Sequence, residues 1–452
     1  MIIYFEILIQ NGRILRELGE FYCYNISILS SLLSVRRGDM DGEEFYYARK
    51  RRDKKYEGKF YIGVWSRGVF CRVTCPAPLP ESKDDMIYFH NIYEALNTGL
   101  QPCLDCEPDM HSEHIILNRK VSNIVNNAVD LISEGYLNAK SVVQLADKLY
   151  ISERYLRKIF MVEVGLSPTQ LANYHKSIFA KKLLYETDMS ITNIAFTSGF
   201  GSVRQFNYTF KKIFKKAPSE FRHNKKTSED YDNNILYLTY TDSFDYENAL
   251  NEIKRQLIVG VELVKENYYY RTFCINNIIG HFMVENLQEE KKLKVSIFTK
   301  DRRCYMAIYN KLKRMFGLNE NAKQQVIGFN PFEVTLKTIL KDGVDLKEAS
   351  EIEEKLIKKC KKVYDCDVEG ISFIYPNEKE IDRLDLLAIG VKDKCAELIK
   401  NVNTALINNE VTLAYNQTYE KFMEDFKAIK GMKEEIINEI AEKGLGISND
   451  DR

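Results

Sequence analysis

No stretch of the sequence reaches the roughly 18 consecutive apolar residues that a membrane-spanning helix needs, so no membrane partner is expected. Residues 1–39 are not expected to act as a signal peptide either. Glu6, Asn11, Arg13 and Arg16 interrupt the apolar N-terminal region, and no small-residue cleavage site follows. Arg36-Arg37-Gly38-Asp39 ahead of Met40 is what purine-rich codons ending in a ribosome-binding site would encode. Translation is therefore expected to start at Met40, with residues 1–39 a misassigned extension. A peptide from residues 1–39 found in the native host by mass spectrometry would contradict this. Cysteine is sparse: ten residues in 452, unevenly placed, are too few for a disulfide framework. They point to a reducing compartment, the bacterial cytoplasm, where close pairs hold metal more often than disulfides.

Net charge is also lacking, since 65 Lys+Arg balance 65 Asp+Glu. The balance hides an asymmetry. Residues 113–226 hold 18 Lys+Arg against 9 Asp+Glu, residues 1–112 hold 14 against 16, and residues 227–452 hold 33 against 40. A basic middle between neutral and acidic flanks is the electrostatic footprint of a nucleic-acid-binding centre. With 45% hydrophobic and 29% charged residues, the chain has the composition of a soluble globular protein. Its length suggests about three or four domains.

The stretch from Tyr61 to Asp109 organises the rest of the chain. It holds Cys71 and Cys75 as C-x3-C and Cys103 and Cys106 as C-x2-C, while Cys23, Cys274, Cys304, Cys360, Cys366 and Cys395 are scattered. Two close pairs a few dozen residues apart can present four sulfurs tetrahedrally, the arrangement zinc prefers, and such a site supplies folding energy to a small module. FYIGVWSRGVFCRVTC reads as strands punctuated by Gly63 and Gly68, and Phe89 to Thr98 as a helix closed by Gly99. Met40 to Lys55 reads as a short helix against this module; its basic run Arg49 to Lys55 either follows phosphates or forms a solvated face.

The run G-V-F-C-R-x-x-C-P-A, a helix, then G-L-Q-P-C-x-x-C-x-P-D resembles the Ada-type zinc module, which repairs methyl phosphotriesters in DNA. The likeness covers about 50 residues and includes spacing, flanking residues and order. It implies that Cys71 accepts the methyl group, that Cys71, Cys75, Cys103 and Cys106 bind Zn2+, and that Arg72 contacts DNA. Val73 stands where the family usually has proline, and a basic residue near Pro78 is missing. The chemistry is sound on its own terms. A free cysteine has a pKa near about 8.5, so little of it is thiolate at neutral pH, and zinc holds a ligand sulfur deprotonated. Displacement by that sulfur turns a neutral phosphotriester into ordinary phosphate and a thiolate into a neutral thioether. One negative charge is lost beside DNA. A charge pair at about 4 Å is worth ~4 kcal/mol at an effective dielectric of 20, so methylation would raise DNA affinity. On spacing alone, a purely structural zinc is the commoner outcome.

Residues 119–225 read as helices. SVVQLADKLYISERYLRKIFMVEVGLSPTQL forms helix, turn, helix, with Ser141 and Ser152 as N-caps and Gly165 as a stop. SITNIAFTSGFGSVRQFNYTFKKIFKKAPSEFR repeats the pattern, with Gly199 in the turn, Ser202 as cap, and Phe206, Phe210 and Phe214 on one core face. Two such units joined by a long helix (Leu171 to Glu186) resemble the AraC-type DNA-binding domain, on the run S-G-F-x-S-x-x-x-F-x-x-x-F-K-x-x-F-x-x-x-P-x-x-F-R. Lys215-Lys216-Ala217 replaces the more usual Gly-x-Ser. In such units the second helix enters the major groove. By position, Arg154, Arg157 and Lys158 are candidate base contacts in the first unit, and Arg204, Gln205 and Asn207 in the second. Lys211, Lys212, Lys215 and Lys216 suit phosphates.

A polar linker (KKTSEDYDNN) between Lys225 and Asn234 closes this helical region. The next segment reads as strand, helix, several strands and a charged helix. It resembles the N-terminal domain of AlkA-type alkylbase glycosylases. The likeness continues through FNPFEVTLKTILKDGV and LAIGVKDKCAELIKNV. The family's G-x-G hairpin corresponds to Ile429-Lys430-Gly431-Met432-Lys433, where lysine replaces the second glycine. Asp450 or Asp451 could stand for the catalytic aspartate, but the supporting helices do not follow, so glycosylase activity is not expected. No Pro-Cys-His-Arg of a methylguanine transferase occurs.

The expected fold class is multidomain α+β. A small α/β four-cysteine zinc module (40–112) precedes an all-α double helix-turn-helix domain (113–226), an AlkA-like α+β domain (234–325) and a truncated, degenerate helical region (326–452). The expected function is a methylation-responsive transcriptional activator with a single-turnover methyltransferase site. Its partners would be double-stranded DNA and RNA polymerase, at the nucleoid. Two alternatives remain: a plain AraC-type regulator with a structural zinc, and a 3-methyladenine glycosylase with a regulatory N-terminus.

Overall fold

Sulfur positions in the N-terminal module follow from strand register. The computed structural model describes residues 42–111, 121–222, 234–318 and 327–448. Residues 1–41, with the expected start at Met40, most of the polar linker, Asp450 and Asp451 lie outside the described residues. Helix α1 (Gly42–Arg51) precedes a four-stranded sheet of β1 (Tyr61–Val64), β2 (Val69–Cys71), β3 (Met86–Phe89) and β4 (Gln101–Pro102), in the order β3-β1-β2-β4. The short helices α2 (Ile92–Asn97) and α3 (Pro108–His111) flank β4. Alternation gives the sheet two buried faces. Ile62 and Val64 meet Ala48, Phe60, Val73 and Met86 beneath α1, while Tyr61, Phe70 and Phe89 join the core of the following domain. Gly63 sits where β1 passes Leu100, Ile87 and Phe89; a Cβ there would come within 2.6 to 2.7 Å of their side chains.

Two readings of this region need correction. Phe89 ends β3 rather than starting the helix, which begins at Ile92 behind its Asn91 cap. Arg49 lies neither on a phosphate track nor on a solvated face. It is buried, and its guanidinium donates to the Ala77 carbonyl at 2.8 Å, while Arg52 donates to the Pro76 carbonyl at 2.7 Å. The two arginines brace the loop after Cys75.

The central domain is helical: α4 (Asn123–Ser133), α5 (Tyr136–Ala139), α6 (Val142–Lys148), α7 (Glu153–Glu163), α8 (Pro168–Glu186), α9 (Ile191–Thr197) and α10 (Val203–Phe214). Serine starts most of them. Ser122, Ser141, Ser152, Ser167, Ser190 and Ser202 each accept a backbone N–H of the first turn, and Gln144 and Gln170 complete capping boxes. Pro168 at the first turn starts α8 three residues earlier than Leu171. That helix is the hub, since thirteen of its nineteen residues are buried, Lys176, Lys181 and Lys182 among them.

The two turns differ. Gly199 takes φ 85° in the second unit, whereas Tyr150 takes φ 57° at the matching place in the first. Lys215 is likewise left-handed, at φ 56°, where α10 ends. That conformation costs a residue with a Cβ about 1–2 kcal/mol. Lys215→Gly is therefore expected to raise the domain's stability by about 1 kcal/mol in thermal unfolding; a fall would mean that the Lys215 side chain outweighs the backbone strain.

Beyond residue 234, an antiparallel sheet runs β5 (Ile235–Thr239), β6 (Glu262–Lys265), β7 (Tyr268–Ile275), β8 (Ile278–Leu287) and β9 (Lys292–Thr299), in the order β5-β9-β8-β7-β6. Helices α11 (Tyr246–Arg255) and α12 (Tyr305–Met315) accompany it. Helices α13 (Pro331–Leu340), α14 (Leu346–Lys359), α15 (Glu378–Asp382), α16 (Leu386–Ile389), α17 (Asp393–Ile407), α18 (Tyr419–Lys427) and α19 (Glu434–Ile440) form a separate core. The chain beyond residue 234 is fastened to the central domain. Arg314 pairs with Glu134, Asn409 donates to the Leu149 carbonyl at 3.1 Å, and the Lys379 ammonium lies 4.8 Å over the Tyr150 ring. Among the described residues, no helix is long and apolar enough to cross a membrane.

Candidate metal centre and nucleic-acid interface

Parallel pairing of β4 with β2 sets Phe70 opposite Pro102, and the Cys103 N–H donates to the Phe70 carbonyl at 2.9 Å. Cys103 is thereby laid beside Cys71, the last residue of β2. The turn after Cys71 and the turn after Cys103 bring in Cys75 and Cys106. All four sulfurs lie within 4.8 Å of one another, and all four residues are buried. A tetrahedral site with Zn–S bonds of about 2.3 Å places sulfurs roughly 3.8 Å apart. The all-sulfur donor set and this spacing fit Zn2+.

The four sulfurs are not equivalent. The Arg72 N–H donates to Cys106 Sγ at 3.4 Å. Hydrogen bonds within the cluster separate the thiols further. The bond with Cys103 pushes Cys71 up, and the bond with Cys106 pulls Cys103 down.

Arg72 faces Glu57 at 3.6 Å, and Glu57 also accepts from Thr74 Oγ1 at 2.6 Å. The Arg72 side chain is thereby held by a carboxylate that Thr74 also engages. In the first helix-turn-helix unit, Arg154 and Lys158 are exposed on α7, while Arg157 is engaged by Glu153 one turn earlier at 2.6 Å. In the second, Arg204, Gln205 and Asn207 are exposed on α10, and Gln205 accepts the Gly201 N–H at 3.2 Å. Lys211, Lys212, Lys215 and Lys216 are exposed further along.

Sequence reasoning passed over two aromatic residues on these helices. Tyr155 and Tyr208 are 48% and 70% exposed. Each interrupts the polar face of an amphipathic helix, and that pattern was the available signal. The joint between zinc module and DNA-binding domain was passed over too. Tyr93 Oη lies 3.0 Å from His175 Nε2 on α8, and burial lowers that imidazole's pKa to about 4. Lys181, on the same helix, reaches Glu107 and Asp109.

Comparison with known proteins agrees with this division. Residues 44–109 match the metal-binding domain of Ada, residues 145–224 a helix-turn-helix domain, and residues 235–328 the AlkA N-terminal domain. The "Probable bifunctional transcriptional activator/DNA repair enzyme AlkA" of Mycobacterium tuberculosis is 22% identical over 433 residues, which cover 90% of this chain and 86% of that one. The bifunctional transcriptional activator/DNA repair enzyme AdaA of Bacillus subtilis is 27% identical over 198 residues, 43% of this chain and 90% of that one. Among solved structures, a 3-methyladenine DNA-glycosylase from Archaeoglobus fulgidus aligns at 14% identity and a TM-score of 0.40, covering 47% of this chain and 80% of that one. The chain thus carries, in this order, an Ada-type metal-binding module, an AraC-type helix-turn-helix domain and an AlkA N-terminal domain.

Proposed function

We propose that the protein is a DNA-alkylation sensor, in which Cys71 irreversibly takes a methyl group from a backbone methyl phosphotriester and the methylated protein then activates transcription. The observation that carries the reading is the buried cluster of four sulfurs, set in a stretch that matches the metal-binding domain of Ada. A backbone N–H bonded to a thiolate stabilises its charge and lowers its basicity. Cys106 has such a donor in the Arg72 N–H at 3.4 Å, which makes its sulfur a weaker nucleophile. Cys71, Cys75, Cys103 and Cys106 would hold zinc, which would keep the Cys71 sulfur deprotonated at neutral pH. The Cys71 sulfur forms a bond to the methyl carbon as the carbon–oxygen bond breaks, and the electron pair leaves with the phosphate oxygen. The products are a thioether and an ordinary phosphodiester anion. Arg72, released from Glu57, holds the phosphate.

Loss of one negative charge beside the DNA backbone strengthens binding where the zinc module meets DNA, and the two helix-turn-helix units supply the remaining contacts. In the first, Arg154, Arg157 and Lys158 would reach base edges or adjoining phosphates; in the second, Arg204, Gln205 and Asn207. RNA polymerase is the partner that an activator of this kind requires. Unmethylated protein is expected to bind duplex DNA weakly, with a salt dependence set by its lysine and arginine contacts. Gel-shift titrations before and after exposure to methylated DNA check this; tight binding with no methyl present would favour a plain regulator with a structural zinc.

The C-terminal region is proposed not to excise bases. Its hairpin, between α18 and α19, keeps Gly431 at φ 87°, but its two flanking lysines are engaged within the region. Lys430 pairs with Glu397 at 2.8 Å and Lys433 with Asp342 at 2.6 Å. Release of methylated purines from alkylated duplex by the purified protein would overturn this.

A further inference from the structure

Lys181 is fully buried near the middle of α8, the helix that joins the two helix-turn-helix units. Its ammonium lies 3.0 Å from Asp109 Oδ2 and 3.0 Å from Glu107 Oε1. Both carboxylates belong to the zinc module, and Glu107 follows Cys106 directly. Tyr185, one turn further along α8, donates to the same Glu107 oxygen at 2.9 Å. On its other side the ammonium lies 5.2 Å from the Phe214 ring and 5.8 Å from the Phe221 ring. Phe214 is the last residue of α10, the recognition helix of the second unit, and Phe221 packs against it. A buried lysine requires strong compensation, because desolvation disfavours its charge. Here that compensation comes across the joint between two domains.

The joint also touches the reacting end. The Arg72 N–H, next in sequence to Cys71, donates to Cys106 Sγ. A path of named contacts therefore runs from Cys71 through Arg72 to Cys106, and through Glu107 and Asp109 to Lys181, where it meets the foot of α10. Along that path the acidic turn after Cys106 is bonded to α8 by the single ammonium of Lys181 and the hydroxyl of Tyr185.

We propose that Lys181 is the coupling residue that transmits the methylation state of the zinc module to the DNA-binding helices. This coupling rests on the sensor reading and deepens it. Charge loss at the cluster alone raises affinity only where the module itself touches DNA; Lys181 extends the response to the orientation of α8 and α10. Lys181 contacts neither DNA nor the reacting sulfur, so it is a positioning residue, and its role shows in the gain on methylation rather than in basal binding.

The test uses full-length, zinc-loaded protein and a duplex selected from a random-sequence library for tight binding to the methylated wild type. Four proteins are compared: wild type, Lys181→Arg, the neutral pair Lys181→Met with Asp109→Asn, and Glu107→Gln. The neutral pair avoids stranding a buried charge, and Glu107→Gln leaves the Asp109 contact in place should the pair fail to fold. Methyl uptake is expected to be equal in all four. Wild type and Lys181→Arg are expected to gain about tenfold or more in affinity on methylation, and the neutral pair less than about twofold. Glu107→Gln should fall between. A folded neutral pair, or in its absence Glu107→Gln, that keeps the whole wild-type gain overturns the role of Lys181 while leaving the sensor intact. A wild type that takes up no methyl overturns the sensor reading, and the coupling with it.

Discussion

Cys71→Ser is expected to abolish methyl uptake from phosphotriester DNA and, with it, the rise in DNA affinity. Serine oxygen is protonated at neutral pH and is a far weaker nucleophile than a zinc-held thiolate. Cys106 should not take over, because its sulfur accepts the Arg72 N–H. The variant should keep the helices of the central domain, whose core draws on Leu145, Leu156, Phe179, Phe206 and Phe210. Radiolabelled methyl transferred per chain is the measurement, with circular dichroism as the check on folding. Uptake that persists in the variant would move the acceptor role to another cysteine.

Removal of zinc has the second large expected effect. The outer face of the module buries only Ala48, Phe60, Ile62, Val64, Val73 and Met86. So small a core cannot by itself offset the conformational entropy of the loops that carry the cysteines. Structural zinc contributes apparent binding energies of about 10–16 kcal/mol at pH 7, comparable to the whole stability of a typical domain. A chelator is therefore expected to expose the segments Val69–Thr74 and 101–109 to rapid hydrogen exchange. The central domain should stay protected, because its core draws mainly on its own helices, through Leu145, Leu156, Phe160, Leu171, Phe206 and Phe210. Unchanged protection of both cysteine segments after zinc is stripped would show that packing, not metal, holds the module.

Legibility in the sequence followed the range of the interactions. Cysteine spacing, serine caps and the phenylalanine stripe are local, and they place the sulfur cluster, the helix starts and the core face of α10 without any tertiary knowledge. Strands β3 and β4 were missed because they are short and exist through pairing. Met86–Phe89 carries no turn signal before its helix, and Gln101–Pro102 is only two residues long. Arg49 and Lys181 were illegible for a related reason. A basic residue on a helix ordinarily faces water, and their partners lie 28 and 72 residues away. The bond from the Arg72 N–H to the Cys106 sulfur depends on a backbone direction that spacing does not encode. In the C-terminal region, the run of strands and helices was readable, but its attachment to the first helix-turn-helix unit through Asn409 and Lys379 was not.

The most direct measurement of the central claim is intact mass with peptide mapping, after zinc-loaded full-length protein is mixed with duplex carrying methyl phosphotriesters. The expected result is a single added methyl, on the peptide that contains Cys71, and a matching loss of phosphotriester from the DNA. Bound zinc with no methyl on the protein and the phosphotriesters untouched would contradict it and leave the cluster a structural metal site.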